Sequence, residues 1–507
     1  MAEVVLGVDI GTSSTKGVIT HADGKVLASA QRAHKTQFPH PGFVEHDPEG
    51  IWWKDFSEIV EELLPQADGP IAGVSVSGIG ACTLPADAEG NPLRDAILYG
   101  IDTRAGEEID ELIERYGFDA IVERSLSRIS HQSIGPKLMW LQRHEPEVWE
   151  RTEQLLMANS FIVERLTGEY TLDSISASFC IPMFDPRTRE WVQEWTDAVA
   201  PGLELPRILE PWEEAGRISD RAAEMTGLPA GIPVCAGTID AFVESASIGV
   251  KAPGDVMLTY GTTMGVAGVL REPQPSDALN STPGVFPGTH ILIGPTATSG
   301  ALTNWMRSIS NNKPFEELLA EAADTPPGAN GLVALPYFAG ERTPIWDADA
   351  RGVIAGLTMS HTRGHLYRAM LEATAYSARS ILDAMRDAGV EMDRIVAVGG
   401  GTRGGLWTQI VSDVTGIPQE LNEETMGACY GDALFAARAA GLVDVEEDWS
   451  AKAADVEPNP ELRETYDRLY EIYGQLYPAT KAQVHALAAM QGEQGLVPGG
   501  DPVDEAL

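Results

Sequence analysis

VVLGVDIGTSSTKGVI, residues 4–19, and DVMLTYGTTMGVAGVL, residues 255–270, follow the same order: an apolar strand, a turn built on Gly-Thr, and an apolar strand coming back. In the first, Val4–Asp9 reads as a buried strand, Gly11–Ser14 as a tight turn and Lys16–Thr20 as the return, with a further turn at Ala22-Asp23-Gly24. In the second, Val256–Tyr260 leads into Gly261-Thr262-Thr263 before Val266–Leu270 returns. Both read as β-meanders, not strands feeding helices. Their recurrence in each half of the chain points to a duplicated fold.

Length agrees with duplication. The chain has 507 residues, and single cores stop growing at about 250–300. Two domains are expected, over residues 1–248 and 249–445, followed by a C-terminal helix and frayed tail over 446–507. Between the meanders the pattern is α/β. Ile51–Leu64 has helical spacing, Ile71–Val76 reads as a buried strand, and Gln154–Leu166 reads as helical. In the second half a long helix is expected over Arg363–Asp387. It is followed by a strand Arg394–Val398 that opens into Gly399-Gly400-Gly401, a helix through Trp407 to Thr415, and a last helix over Glu461–Met490.

Charge narrows the function classes. The net charge is −39, from 75 acidic against 36 basic residues, and such a surface repels nucleic acid and anionic membrane. The acids are scattered instead of clustered, which suits a solvated surface adapted to high salt, where screening acts over about 3 Å at 1 M. A higher melting temperature in molar KCl than in dilute buffer is the expected result, and no stabilisation there would remove the halophilic reading. The cysteines Cys82, Cys180, Cys235 and Cys429 form no CxxC pair, so neither a zinc site nor a disulfide framework is indicated. There is no apolar run of membrane-spanning length, and a strand begins without a charged leader, so a soluble cytoplasmic protein is expected.

The turns carry the chemistry. Asp9-Ile10-Gly11-Thr12-Ser13-Ser14-Thr15-Lys16 puts a carboxylate, hydroxyls, a glycine and a lysine on one turn. Phosphate recognition needs this mixture: N–H and hydroxyl donors, a backbone that can approach closely, and a positive charge. Asp9 facing the same oxygens calls for a cation between them, and Mg²⁺ has the right preference for carboxylate, phosphate and water. No Walker motif is present. Gly261-Thr262-Thr263 and Gly399-Gly400-Gly401 offer further turns of this kind. Asp240, within Ala236-Gly237-Thr238-Ile239-Asp240-Ala241, stands where an apolar strand meets a helical stretch. It reads either as a helix N-cap or as a base taking a hydroxyl proton. His131, His361 and His365 stand in polar or helical settings and do not compete for that role.

Together these residues resemble the FGGY family of carbohydrate kinases, which includes xylulokinases, ribulokinases, gluconate kinases and glycerol kinases. The resemblance covers about residues 4–445 and is closest to the xylulokinase-like members. Its most specific stretches are Asp9–Lys16, Ala236–Ala241 with Tyr260–Thr263, Gly340–Leu357, Val398–Gly416 and Gly427–Ala437. It implies an actin-like ATPase fold of two ribonuclease-H-like domains closing on ATP and a sugar, with Mg²⁺. Asp9 corresponds to the metal-facing aspartate, and Thr12, Ser13 and Lys16 to the first phosphate turn. Asp240 corresponds to the catalytic base. Gly261, Thr262 and Thr263 correspond to the second phosphate turn, Gly300 and Asn304 to nucleotide contacts, and Gly400, Gly401 and Gly404 to the adenosine-side loop. On the sugar side the resemblance points to Asp102, Arg104, Gly80 and Ala81.

One departure stands out. Where xylulokinases follow the strand ending in Ser-Gly with Gln-Met-His, this chain has Ile79-Gly80-Ala81, so the Met-His contact to sugar is missing. The expected substrate is a pentulose such as xylulose, with ribulose, fuculose, gluconate or glycerol as alternatives. A non-catalytic nucleotide-binding module of the same fold is a further alternative. A homodimer is the expected assembly, as for many soluble enzymes.

Overall fold

The computed structural model describes residues 2–423 and 426–493; the expected frayed tail lies outside the described residues. Two sheets organise the chain. The first is built from β1 (Val4–Ile10), β2 (Ser14–His21), β3 (Val26–Ala33), β4 (Ile71–Gly78), β5 (Glu214–Arg217) and β6 (Pro233–Cys235), in the order β5-β6-β4-β1-β2-β3. The second is built from β7 (Asp255–Thr259), β8 (Gly265–Leu270), β9 (Asn280–Pro283), β10 (His290–Pro295), β11 (Arg394–Val398), β12 (Gln419–Asn422) and β13 (Lys452–Val456), in the order β9-β10-β8-β7-β11-β12-β13. Each opens with an antiparallel pair, β1 with β2 and β7 with β8, and each first strand pairs in parallel with a later one, β4 or β11. The duplication read from the meanders is therefore present in the topology.

Strand alternation assigns the faces of the first sheet. On β1, Val4, Leu6, Val8 and Ile10 join the core formed with α1 (Lys54–Leu63) and α2 (Ala158–Thr167). Helix α1 supplies Phe56, Ile59, Val60 and Leu63 to that core, with Trp52 from the π-helical turn Pro48–Trp53 before it. The alternate residues Val5, Gly7 and Asp9 face the other way. Gly73, Ser75 and Ser77 do the same on β4, with Gly7 opposite Ser75 and Asp9 opposite Ser77. This second face is covered by α3 (Asp240–Ser247) and by α7 (Ala428–Ala439), a helix from the far end of the chain. A Cβ on Gly73 would lie 2.7 Å from the Ala436 carbonyl oxygen, and one on Gly7 would overlap the Cys429 carbonyl oxygen and the Ala433 nitrogen. Glycine is required at both places because backbone meets backbone there.

In the second half, α4 (Gly300–Ser308), α5 (Arg363–Asp387), α6 (Leu406–Thr415) and α8 (Arg463–Glu493) pack with the sheet around Tyr367, Tyr376, Ile410 and Tyr466. The expected helix Arg363–Asp387 and strand Arg394–Val398 form with those bounds. Three expectations need correction. Gln154–Leu166 is a short strand, Gln154–Leu156, and then α2, because Leu155 and Leu156 pair with Leu84 and Pro85. The segment from 446 holds more than the expected helix: Lys452–Val456 adds an edge strand to the second sheet before α8, which packs on α6. Asp240 is not an N-cap, since the cap position belongs to Ile239 and Asp240 is the first helical residue. Among the described residues no helix is long and apolar enough to cross a membrane.

Candidate active site

The turn Gly11–Ser14, where the first phosphate contacts are expected, is held from behind. Its ends are closed by the Gly11 N–H donating to the Ser14 carbonyl at 3.0 Å. The other carbonyls point away from the site: Ser13 accepts from the His34 N–H at 3.0 Å, Gly11 from His34 Nε2 at 3.0 Å, and Thr12 from the Thr36 hydroxyl at 3.1 Å. With every carbonyl of the turn engaged, the Thr12 and Ser13 N–H groups take no partner among the described residues, which leaves two donors that an anion could take.

His34 and Thr36 are themselves fixed. His34 Nδ1 lies 2.8 Å from Asp55 Oδ2, which also accepts from the Thr15 hydroxyl at 3.0 Å. His46 accepts the Trp52 indole N–H at Nδ1, which directs Nε2–H toward Thr36 Oγ1, and the Thr36 hydroxyl passes its own hydrogen to the Thr12 carbonyl. Burial, and then the neighbouring His34, lowers the His46 pKa to about 4, consistent with a neutral ring. None of these supports is signalled by the turn's own sequence. His34→Ala should raise KM for ATP about tenfold, the loss of one charge-assisted hydrogen bond, with kcat little changed. An unaltered KM in steady-state kinetics would show that the turn holds itself.

Beside the turn lies a group of carboxyls, Asp9 buried and Asp240 and Glu244 half-buried. Asp9 and Lys16 are paired residues of β1 and β2, so both project on one face. Burial raises the Asp9 pKa to about 6, against the opposing pull of Lys16 and of the Ser77 hydroxyl. Asp240, at the start of α3, is pushed well above the usual carboxylate range by burial and then by the Asp9 charge. Glu244 stands one turn further along the same helical face and is raised to about 7 by burial and then by Asp9. The sequence reading missed Glu244, although its spacing of four from Asp240 was the available signal. Hard oxygen donors this concentrated, opposed by Lys16, fit a divalent cation. Among the described residues no set of three or more acidic, histidine or cysteine groups forms a complete metal cage, so phosphate oxygens and water would have to complete a Mg²⁺ shell.

The second half contributes a hub at Tyr260–Thr263. Gly300 N–H donates to Gly261 at 2.9 Å, Ser299 and Ala301 N–H groups donate to Thr262 at 3.0 Å, and Gly401 N–H donates to Tyr260 at 3.0 Å. A Cβ on Gly300 would lie 2.5 Å from the Gly261 oxygen, so the glycine there lets the start of α4 reach the turn. The structure thus brings together Gly261, Thr262, Thr263, Gly300 and Gly401, with Gly400 exposed at their margin. Asn304 lies one turn along α4 and is exposed, as is Gly404.

On the sugar side, Asp102 and Arg104 are tied to each other, while Arg104 Nη1 is buried with no hydrogen-bond partner among the described residues. Asp102 is fully buried and accepts from the Val44 N–H at 2.7 Å and from Arg104 Nε and Nη2. The Arg104 guanidinium also meets Glu45 at 2.8 Å and lies over Phe43, 4.0 Å from the ring centroid. The pair is an internal brace for the segment around Val44. Gly80 and the buried Ala81 lie just past β4, where Ile79 N–H donates to the Ile10 carbonyl and Gly78 N–H to Thr238. Tyr99, which the sequence reading did not select, has its hydroxyl 3.4 Å from Thr12 Oγ1 and within electrostatic reach of both Asp240 and Arg342. Arg342, from the second half, is anchored by donation to the Thr296 carbonyl. The two halves therefore face one space.

Paired meander sheets with carboxyls and donor-rich turns converging on that space define a phosphotransferase of the actin-like ATPase fold. The family model for the FGGY carbohydrate kinase N-terminal domain matches residues 4–249, and that for the C-terminal domain matches residues 256–440. A xylulose kinase of Staphylococcus epidermidis is 31% identical over 492 residues, covering 94% of this chain and 97% of its own length. A glycerol kinase of Nocardia farcinica is 32% identical, covering 89% and 94%. The crystal structure of a xylulose kinase from Rhodospirillum rubrum is 32% identical with a TM-score of 0.88, covering 95% of this chain and all of that one. The chain belongs to the FGGY family of carbohydrate kinases. As such it is an enzyme that transfers a phosphoryl group from ATP to a sugar hydroxyl.

Proposed function

We propose that the acceptor is a pentulose, xylulose foremost, and that Asp240 is the general base. The observation that carries the base assignment is the position of Asp240: half-buried at the start of α3, beside Asp9, with its affinity for a proton raised well above that of a free carboxylate by burial and then by the Asp9 charge. The acceptor hydroxyl would give its proton to Asp240 as its oxygen bonds to the γ-phosphorus. The bond from that phosphorus to the bridging oxygen breaks, ADP departs, and the protonated Asp240 later returns its proton to solvent. Thr12, Ser13 and Lys16 would hold the phosphates from the first half, and Gly261, Thr262 and Thr263 from the second. Gly300, Asn304, Gly400, Gly401 and Gly404 would line the nucleoside end. Residues 1–248 would then carry sugar and base, and 249–445 the nucleotide. Asp9, with Glu244 near it, would hold Mg²⁺, which when bound screens the negative charge of the phosphates.

Support for xylulose comes from the names of the relatives above. A second reading, a smaller polyol such as glycerol, is favoured by one observation: Gly80 and the buried Ala81 place no sulfur or imidazole where a pentulose contact is expected. ADP release measured with pentuloses, hexuloses, gluconate and glycerol in high salt decides between them. The highest kcat/KM is expected for xylulose. A preference for glycerol would replace that assignment, and release that no sugar stimulates would contradict the pentulose reading altogether.

A further inference from the structure

We propose that Asp432 is a positioning residue for the transfer reaction, acting from α7 on the Asp9 carboxylate through the Ser77 hydroxyl. The inference rests on the reading of Asp9 and Asp240 as the reacting site. Asp432 is fully buried, as are Ser75 and Ser77. Ser75 Oγ lies 3.0 Å from Asp432 Oδ1 and Ser77 Oγ lies 2.6 Å from Oδ2, while Ser77 Oγ lies 3.3 Å from Asp9 Oδ1. Period-two alternation explains the meeting: Ser75, Ser77 and Asp9 all project from the sheet face that α7 covers.

Counting hydrogens gives the arrangement its direction. Ser77 has a single hydroxyl hydrogen and stands between two carboxyls. With Asp9 ionised, as its proposed part in holding a cation requires, a Ser77 hydrogen given to Asp432 would leave Asp9 Oδ1 facing only a lone pair, a repulsive contact in a buried place. The arrangement is satisfied when the hydrogen lies on Asp432 Oδ2, is donated to Ser77 Oγ, and Ser77 donates its own to Asp9. Ser75 then donates to Asp432 Oδ1, so all positions are filled. Burial pushes the Asp432 carboxyl well above its usual range, in keeping with a retained hydrogen. The Asp9 carboxylate is thereby oriented by a helix that belongs, by sequence, to the other half of the kinase.

The test is steady-state kinetics and thermal melting of full-length Asp432→Ala, Asp432→Asn, Ser77→Ala and the S77A/D432A double variant, with Asp9→Asn as reference. Asp432→Ala and Ser77→Ala should each lower kcat by about tenfold or more, with sugar KM within about threefold. Asp432→Asn should stay within about threefold of the parent, because its amide N–H donates to Ser77 and its oxygen accepts from Ser75. The double variant should be no slower than the slower single one, since one connection is broken twice. A purely structural role would lower the melting temperature without this pattern of rescue. Retention of kcat in Ser77→Ala overturns the proposal even if Asp432→Ala does not fold, and so does a loss in Asp432→Asn as deep as in Asp432→Ala. Asp9→Asn separates the two readings. If it keeps the parental kcat, the assignment of the site fails, whereas a slow Asp9→Asn beside an unaffected Ser77→Ala removes only the role of Asp432.

Discussion

Replacing Asp240 by Asn should lower kcat by roughly 10²- to 10⁴-fold while leaving KM for ATP within about threefold. The amide has the shape of the carboxylate and its oxygen can keep the 2.7 Å bond from the Ala241 N–H, so the helix start is preserved. It cannot accept the hydroxyl proton. Because burial and the Asp9 charge raise the proton affinity of Asp240, the base form is gained as pH rises, and the parental kcat should fall on the acid side. The Asn variant should lack that limb. Turnover within about threefold of the parent in a coupled ADP assay would show that Asp240 is not the base.

Gly7→Ala should have the largest effect on stability. The added Cβ would overlap the carbonyl oxygen of Cys429 and the nitrogen of Ala433, and it would lie 3.0 Å from the Asp432 carbonyl carbon. These are backbone atoms of a helix and cannot rotate aside. The cost should reach about 3 kcal/mol, the upper end of overpacking effects, and α7 would be lifted from the face that holds Asp9. A lower melting temperature and reduced kcat are expected together. Gly474→Ala is the control: its Cβ would meet nothing within 4 Å at an exposed position of α8, and alanine there should stabilise by up to about 1 kcal/mol. A Gly7→Ala protein melting with the parent would mean that α7 adjusts without cost.

Much of this architecture could be read from residue order because local pattern and burial agree. The strands β1 and β7 are apolar runs ending in donor-rich turns, and α5 is a long helical stretch whose bounds, Arg363–Asp387, could be read from the sequence. Asp102 and Arg104 illustrate the opposite case. At a spacing of two they read as a pair open to a ligand, yet they are buried because Phe43, Trp140 and Glu45, distant in sequence, close over them. The supports of the phosphate turn were equally hidden. His34 and Asp55 become meaningful only once β3 and α1 bring them under Gly11, and no local spacing encodes that. Asp432 required knowing that a helix near the end of the chain packs on the first sheet. The strand Lys452–Val456 is largely exposed and lacks apolar alternation, so nothing in its composition marked it as part of the second sheet.

The placement of α7 also bears on how the protein is made. Val5 and Val18 are covered by Cys429, Ala433, Ala436 and Ala437, so the part of that face of the first sheet which α3 does not reach has no lid until residues 428–439 have left the ribosome. Domains emerging N-terminus first usually complete themselves in order of synthesis. Here the half translated first is finished last, and its nascent form must wait, with an apolar surface open to water, for almost the entire chain to arrive.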